Sequence, residues 1–385
     1  MWIGACTSSI GTWMQKVAQS WLVLTMSGSP FLLGLDAFLG EIPIFLFSLV
    51  GGVIADRIDR RRVLLASQFI QMACAFLLTA LIWFNVARVW HILCLSFVTG
   101  FAQAFGGPAY QALIPMLVKR NDMPNAIALQ SIQFNVARVI GPVLGGLALT
   151  KLGSVWCFGL NGLSFFAPVI SLLMLTARFL PENRAETILQ SMQQGIGFIR
   201  KQSAMEALIA LAFLMTALGI PLITFLPVFA RDVFRGGPTV FTTFLVCSGL
   251  GSIVGALAVA AMGDIRNKGR VALSMLIFLG GAMAAFSLSK TLMLSNVLLF
   301  LTGAALIAVF ATINSLVQLI TTDHMRGRVM SIYNVAFRGG MPFGSLTTGW
   351  LVPRFTAPVV LAVNGCLLMA LALYFLLVQR RVAAL

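Results

Sequence analysis

Residues 51–65 read GGVIADRIDRRRVLL, and what they are decides the fold. Between Asp56 and Arg62 only Ile58 is uncharged. The run before it, 30–54, holds just Asp36 and Glu41, and the run after it, 63–84, holds no charge. A helix needs about 20 apolar residues to cross a bilayer's hydrocarbon core. The stretch therefore reads as a loop at which the chain leaves one span and enters the next. Working outward, comparable runs fall near 2–26, 90–116, 125–149, 154–177, 204–230, 238–262, 271–289, 291–320, 329–352 and 357–378, which makes twelve.

Composition agrees. Of 385 residues, 59% are hydrophobic and 10% charged, and the mean hydropathy is +0.97. Soluble domains carry about 25% charged residues. A soluble globule is excluded, and the short connections leave no room for a fused ATPase. The net charge of +15 does not point to nucleic acid, because it is sorted by side. With a cytoplasmic N-terminus, the inner connections carry most of the Lys and Arg: Arg57, Arg60–Arg62, Lys119, Arg120, Arg178, Arg184, Arg200, Lys201, Arg266, Lys268, Arg270, Arg326, Arg328, Arg380 and Arg381. The outer ones carry Arg88, Lys151, Arg231, Arg235, Lys290 and Arg354. That is the positive-inside bias, and twelve spans then put both termini in the cytoplasm. The first run lacks a short apolar core with a cleavage site and reads as a span, not a signal peptide; its missing hydrophilic lead suggests a trimmed or misassigned start. The six cysteines lie inside spans without CxxC spacing and read as packing residues.

The chain repeats itself. ADRIDRRRVLL (55–65) aligns without gaps on GDIRNKGRVAL (263–273), setting Asp56 over Asp264, Arg60 over Lys268 and Arg62 over Arg270. SIQFNVARVIGP (131–142) aligns on SIYNVAFRGGMP (331–342), setting Arg138 over Arg338 and Pro142 over Pro342. Both matches pair elements six spans apart. The expected fold class is an all-α integral membrane protein of twelve transmembrane helices, two six-helix bundles in a 6+6 parallel repeat. Its expected parts are an N-terminal bundle (1–177), a cytoplasmic linker (178–203) and a C-terminal bundle (204–385).

On these residues the chain resembles the major facilitator superfamily. GVIADRIDRR (52–61) is similar to the superfamily's loop signature, with Asp59 where a glycine is usual. ARVIGPVLGG (137–146) is similar to the Gly-Pro motif of drug/proton antiporters. GTWMQKVAQSWLVL (11–24) and RGRVMSIYNVAFRGGMPFGSLTTGWL (326–351) resemble the subgroup that contains the enterobactin exporter. The resemblance implies that Gly52, Asp56, Arg57, Arg60, Arg61, Asp264 and Lys268 form a cytoplasmic gate latching the two halves. Read alone, such a basic cluster is a topology anchor, and Gly52, four residues from Asp56 on one helix face, would let a helix approach closely. The resemblance also implies that Gly141, Pro142, Gly145 and Gly146 bend the fifth span to close a leak path; read alone they are a packing seam.

Charges at membrane depth are the sharpest signal, since each costs roughly 2.5–3.5 kcal/mol to insert. Lys16, Asp36, Glu41, Arg138 and Arg338 qualify. Counted from the outer ends of their spans, Lys16 and Glu41 both lie about 15 Å deep, so an ion pair between them is expected. Asp36 lies higher, about 9 Å from the outer surface, within expected reach of water. Glu41, Asp36, Lys16 and Arg138 are the candidates for proton coupling. Glu41 is either a structural partner that stays ionised or a carrier that titrates during the cycle. The second half offers Arg338 no mid-span acid, which makes it a candidate anion contact. Gln15, Gln19, Gln103, Tyr110, Gln111, Asn135, Asn314 and Gln318 are polar where a lipid-facing surface would not be, and the resemblance places most of them in a substrate cavity. Interhelical hydrogen bonding is the plainer reading.

No phosphate loop, metal-ligand cluster or catalytic set occurs, so neither enzyme activity, a cofactor nor a metal is expected. The expected function is a proton-coupled secondary exporter of a small amphipathic molecule (drug, siderophore or metabolite) in a bacterial inner membrane, a monomer with bilayer, substrate and protons as partners and no nucleic acid. The alternative of the same fold is a lipid or lysolipid flippase; a relative that no longer transports is the third, and the retained buried charges argue against it.

Overall fold

The computed structural model describes residues 1–175, 188–263, 267–322, 324–383 and 385. Among these residues all regular structure is helical. The helices are α1 (Trp2–Ser27), α2 (Pro30–Arg57), α3 (Arg60–Trp83), α4 (Val89–Leu117), α5 (Met123–Lys151), α6 (Ser154–Leu173), α7 (Ile188–Lys201), α8 (Ser203–Val233), α9 (Pro238–Met262), α10 (Lys268–Leu288), α11 (Leu292–Ile320), α12 (Arg326–Phe355) and α13 (Ala357–Leu377). α6 is interrupted at Phe165, and α8 ends in a π-turn over Phe229–Val233. Asp264 and residues 178–187 of the expected linker lie outside the described residues, while residues 188–201 of that linker form the amphipathic α7.

Local chemistry sets the turns that position the site. α1 stops at Gly28, whose left-handed backbone (φ 64°) lets its N–H reach the Leu24 carbonyl at 2.9 Å. Ser29 then caps α2, its hydroxyl accepting from the Leu32 N–H, and Pro30 sits where no donor is needed. This two-residue turn sends α2 back antiparallel to α1. Asp59 caps α3 by accepting from the Arg61 N–H at 3.0 Å.

Two compact units are formed, one of Met1–Ala185 with Pro238–Thr242 and one of Glu186–Gly237 with Thr243–Leu385. In the first, α2 packs on α4, α1 on α5, and α3 on α4 and α6. In the second, α10 packs on α13 and α11, and α8 on α12, with α9 against α11. With the amphipathic α7 set aside, the second, first and third helices of each unit thus meet the same partners in order. Where backbones touch, only glycine fits: Gly100 faces the Gly40 carbonyl in the α2–α4 crossing, and Gly303 faces the Ser248 carbonyl in the α9–α11 crossing.

Ten of the described helices are long and apolar enough to cross a membrane, against the twelve runs expected. The two runs that fall short, α1 and α12, are the polar ones. α1 carries Gln15, Lys16 and Gln19, and α12 carries Arg326, Arg328, Asn334 and Arg338. Their length suffices; their hydropathy does not.

Candidate functional site

Asp36 is the most enclosed acid among the described residues of the first unit, 8% exposed. It sits on α2, and two neighbouring helices close over it. From α1, the Gln19 Nε2 donates to Asp36 Oδ2 at 2.9 Å, to Oδ1 at 3.1 Å and to the Ser96 Oγ at 2.8 Å. From α4, the Ser96 hydroxyl donates to Asp36 Oδ1 at 2.5 Å, with the Ile92 carbonyl 2.9 Å away as its other acceptor. This corrects the expectation of water at Asp36. Depth counted along one helix takes no account of a glutamine and a serine folded over the carboxylate from neighbouring helices.

The network continues into α6. Gln15 Nε2 donates to Gln19 Oε1 at 3.4 Å, Asn161 Nδ2 to Gln15 Oε1 at 2.6 Å, and the Ser164 hydroxyl to the Asn161 side chain at 3.2 Å. Every donor along this row points towards Asp36. A carboxylate held by charge-assisted hydrogen bonds is the strong form of the interaction, and a satisfied buried network polarises its members further.

The expected ion pair is present: Lys16 Nζ lies 3.9 Å from Glu41 Oε1. Its environment differs from that of Asp36, because the Lys16 side chain is 58% exposed and the Glu41 side chain 25%. Lys16 also stands 5.4 Å over the Trp13 ring, a cation–π distance, and Trp13 meets Phe134 of α5 edge-on at 6.3 Å. Arg138 follows Phe134 by one helical turn and is half-buried. It makes neither a hydrogen bond nor an ion pair among the described residues.

Of the polar residues singled out in the sequence, Gln15 and Gln19 join the Asp36 network. Tyr110 donates to Gln133 Oε1 at 2.9 Å, and Gln133 Nε2 to Ser9 Oγ at 3.0 Å, tying α4, α5 and α1. Gln103 and Gln111 are exposed on α4, and Asn135 bonds back to the Ser131 carbonyl of its own helix. In the second unit Gln318 donates to Asn314 Oδ1 at 2.5 Å. Arg338 is exposed on α12 and, against expectation, is not without a partner. Ser9, Ser96, Gln133 and Asn161 were missed, although each is a polar residue within an apolar run and visible as such.

Two arginines of the gate cluster bond to helix ends of the first unit. Arg60 Nη1 donates to the Ala112 carbonyl at 3.3 Å, near the end of α4. Arg61 donates to the Leu172 carbonyl at 2.6 Å and the Leu173 carbonyl at 2.9 Å, capping α6. Arg57 is exposed, Lys268 opens α10, and the side chain of Asp56 lies outside what the structure describes. The close approach expected at Gly52 belongs to its neighbour: Gly51 faces the Ala104 carbonyl, whereas Gly52 has open space among the described residues. The Gly-Pro motif packs as a seam. α5 runs unbroken through Pro142, Gly141 lies against Trp13 and the Ile10 carbonyl, Gly145 lies 3.0 Å from the Met14 carbonyl by its missing Cβ, and Gly146 is buried.

Known proteins share this layout and sequence. The chain is 26% identical over 356 residues to a multidrug efflux pump, Tap, of Mycolicibacterium fortuitum, covering 90% of this chain and 86% of that protein. It is 27% identical over 367 residues to an enterobactin exporter of Shigella boydii, covering 92% and 84%. The crystal structure of a peptide transporter superposes with a TM-score of 0.78 at 12% identity, covering 99% of this chain and 94% of that one, which shows the fold. These relatives are transporters and not enzymes. With the family model described as transmembrane secretion effector matching residues 1–384, the chain belongs to that family of the major facilitator superfamily.

Proposed function

We propose that this secondary transporter exports small amphipathic molecules, a drug, siderophore or metabolite, in exchange for protons, with Asp36 as the proton carrier. In this reading α1 and α12 cross the bilayer with the ten apolar helices, giving a monomer of twelve spans in two bundles (1–177 and 204–385) joined by 178–203. Both termini face the cytoplasm of a bacterial cell, across its inner membrane.

The observation that carries the proposal is that Asp36's partners serve both protonation states. When Asp36 is ionised, Gln19 and Ser96 donate to it. When it takes a proton, its own O–H donates to Ser96 Oγ, and the Ser96 proton turns to the Ile92 carbonyl already 2.9 Å away. Neither state leaves an orphaned group at Ser96. Glu41, by contrast, has its charge offset by Lys16 and is partly open, which suits a structural partner. One elementary charge moved through 100 mV is worth about 2.3 kcal/mol, enough for one carboxylate to drive export against a gradient of roughly fiftyfold.

Accumulation of a dye, drug and siderophore panel in efflux-deficient bacteria tests this. Wild type is expected to lower accumulation of at least one compound, and a protonophore to abolish the difference. Asp36→Asn is expected to abolish it in folded, membrane-inserted protein, while Glu41→Gln keeps part. Full activity in Asp36→Asn, or export indifferent to the protonophore, overturns the assignment.

A further inference from the structure

α5 has two sides of opposite character, one exposed and one half-buried at its arginine. Ile140, Leu144 and Leu147 recur at helical spacing as an exposed apolar stripe, the composition that faces lipid. Ser131, Phe134 and Arg138, at spacings of three and four, form a second side. Arg138 and Ile140 are two residues apart and so point in nearly opposite directions. Beside the second side stands α1, with Trp13 edge-on to Phe134 and Lys16 over Trp13.

Two cations and two aromatic rings therefore gather at membrane depth, and their charges are not equally answered. Lys16 has Glu41. Arg138 has no hydrogen-bond or ion-pair partner among the described residues, although a guanidinium offers five donors and is costly to hold in a membrane. We propose that Arg138, with Trp13 and Phe134, is a subsite for the anionic group of an aromatic amphipathic substrate, a carboxylate or similar oxyanion on a ring system. The guanidinium presents a planar fork that matches a carboxylate's two oxygens, and the rings supply apolar contact for the attached body. Lys16 is already answered by Glu41, which leaves the Arg138 guanidinium as the cation that meets the substrate's anionic group. This inference rests on the export reading and adds the charge class of what is exported.

The test is binding by the purified full chain in phosphatidylcholine nanodiscs, with protein-free discs subtracted. The probes are 1-pyrenebutyrate and its uncharged amide, which share a ring system and differ in charge. Wild type is expected to bind the carboxylate about tenfold more tightly than the amide. Arg138→Gln is expected to erase that preference, Arg138→Lys to reduce it severalfold because an ammonium lacks the fork, and Trp13→Ala to weaken both probes alike. No preference in wild type overturns the subsite, as does a preference that survives Arg138→Gln. Should Arg138→Gln not fold, an undiminished preference in Arg138→Lys overturns it equally. The two readings fail separately: if the exporter reading is wrong, cellular accumulation stays unchanged while the anion preference persists in the discs, and if the subsite is wrong the reverse holds.

Discussion

Gly51 and Gly52 are adjacent, chemically identical and set in opposite surroundings. A Cβ at Gly51 would run into the Ala104 carbonyl, whereas a Cβ at Gly52 meets nothing within 4 Å among the described residues. Replacing either by alanine gains about 1 kcal/mol of helix propensity. At Gly51 the added atom meets backbone, which cannot swing aside as a side chain can, so α2 and α4 must separate. Overpacking of that kind costs about 1–3 kcal/mol. Gly51→Ala is therefore expected to be neutral to about 2 kcal/mol destabilising once propensity is counted, and Gly52→Ala to stabilise by up to about 1 kcal/mol. Their difference, roughly 1–3 kcal/mol, corresponds to a factor of about 5–150 in the unfolding equilibrium. Reversible unfolding in mixed micelles, followed by tryptophan fluorescence against denaturing-detergent fraction, reads that difference directly. Equal stabilities, or Gly52→Ala as the weaker variant, would refute the α2–α4 contact as the reason for the glycine.

Other perturbations have equally definite outcomes. Arg61→Met removes two hydrogen bonds to the last carbonyls of α6 and is expected to lower stability by about 1–3 kcal/mol in the same unfolding assay, whereas Arg57→Met should stay within about 0.5 kcal/mol. A double-mutant cycle on Lys16→Met and Glu41→Gln should return a coupling below about 1 kcal/mol, as water-accessible pairs do; several kcal/mol would mean the pair is sealed from water. Ser96→Ala leaves Gln19 as the remaining neutral donor to Asp36 and is expected to slow proton-driven export in everted vesicles while leaving protein abundance unchanged. Gln133→Leu strands the Tyr110 hydroxyl and Ser9, at a cost of about 1–3 kcal/mol in thermal stability.

What could be read from sequence was what is local or nearly so. The apolar runs gave helix positions to within a few residues, because a bilayer's demand acts on each segment by itself. The Lys16–Glu41 pair was legible because a two-residue turn fixes the register of α1 against α2, so depth along one helix converts into depth along the other. Asp36 was misjudged because its cover comes from Ser96, sixty residues on, and no count along a single helix reveals that. Gly51 and Gly52 show the same limit on a finer scale: which of two neighbouring glycines faces a partner depends on where the partner stands. Gln133 and Asn161 were legible and overlooked, since a lone amide in an apolar run marks an interhelical contact whatever its role.

The row from Asn161 through Gln15 and Gln19 to Asp36 and Ser96 also has a mechanical consequence. Its members belong to α6, α1, α2 and α4, so a single carboxylate fastens four helices of one unit. While that carboxylate is charged, each amide is held in one orientation; sliding α1, α2 or α4 breaks a charge-assisted bond to Asp36, and sliding α6 breaks the amide bond from Asn161 to Gln15 that those bonds orient. When it is neutral the amides are freer to turn, and the same helices can shift at lower cost. If Asp36 carries the proton as proposed, its occupancy would set how tightly these four helices are held together, stiffer when the carboxylate is charged and more compliant when it is neutral.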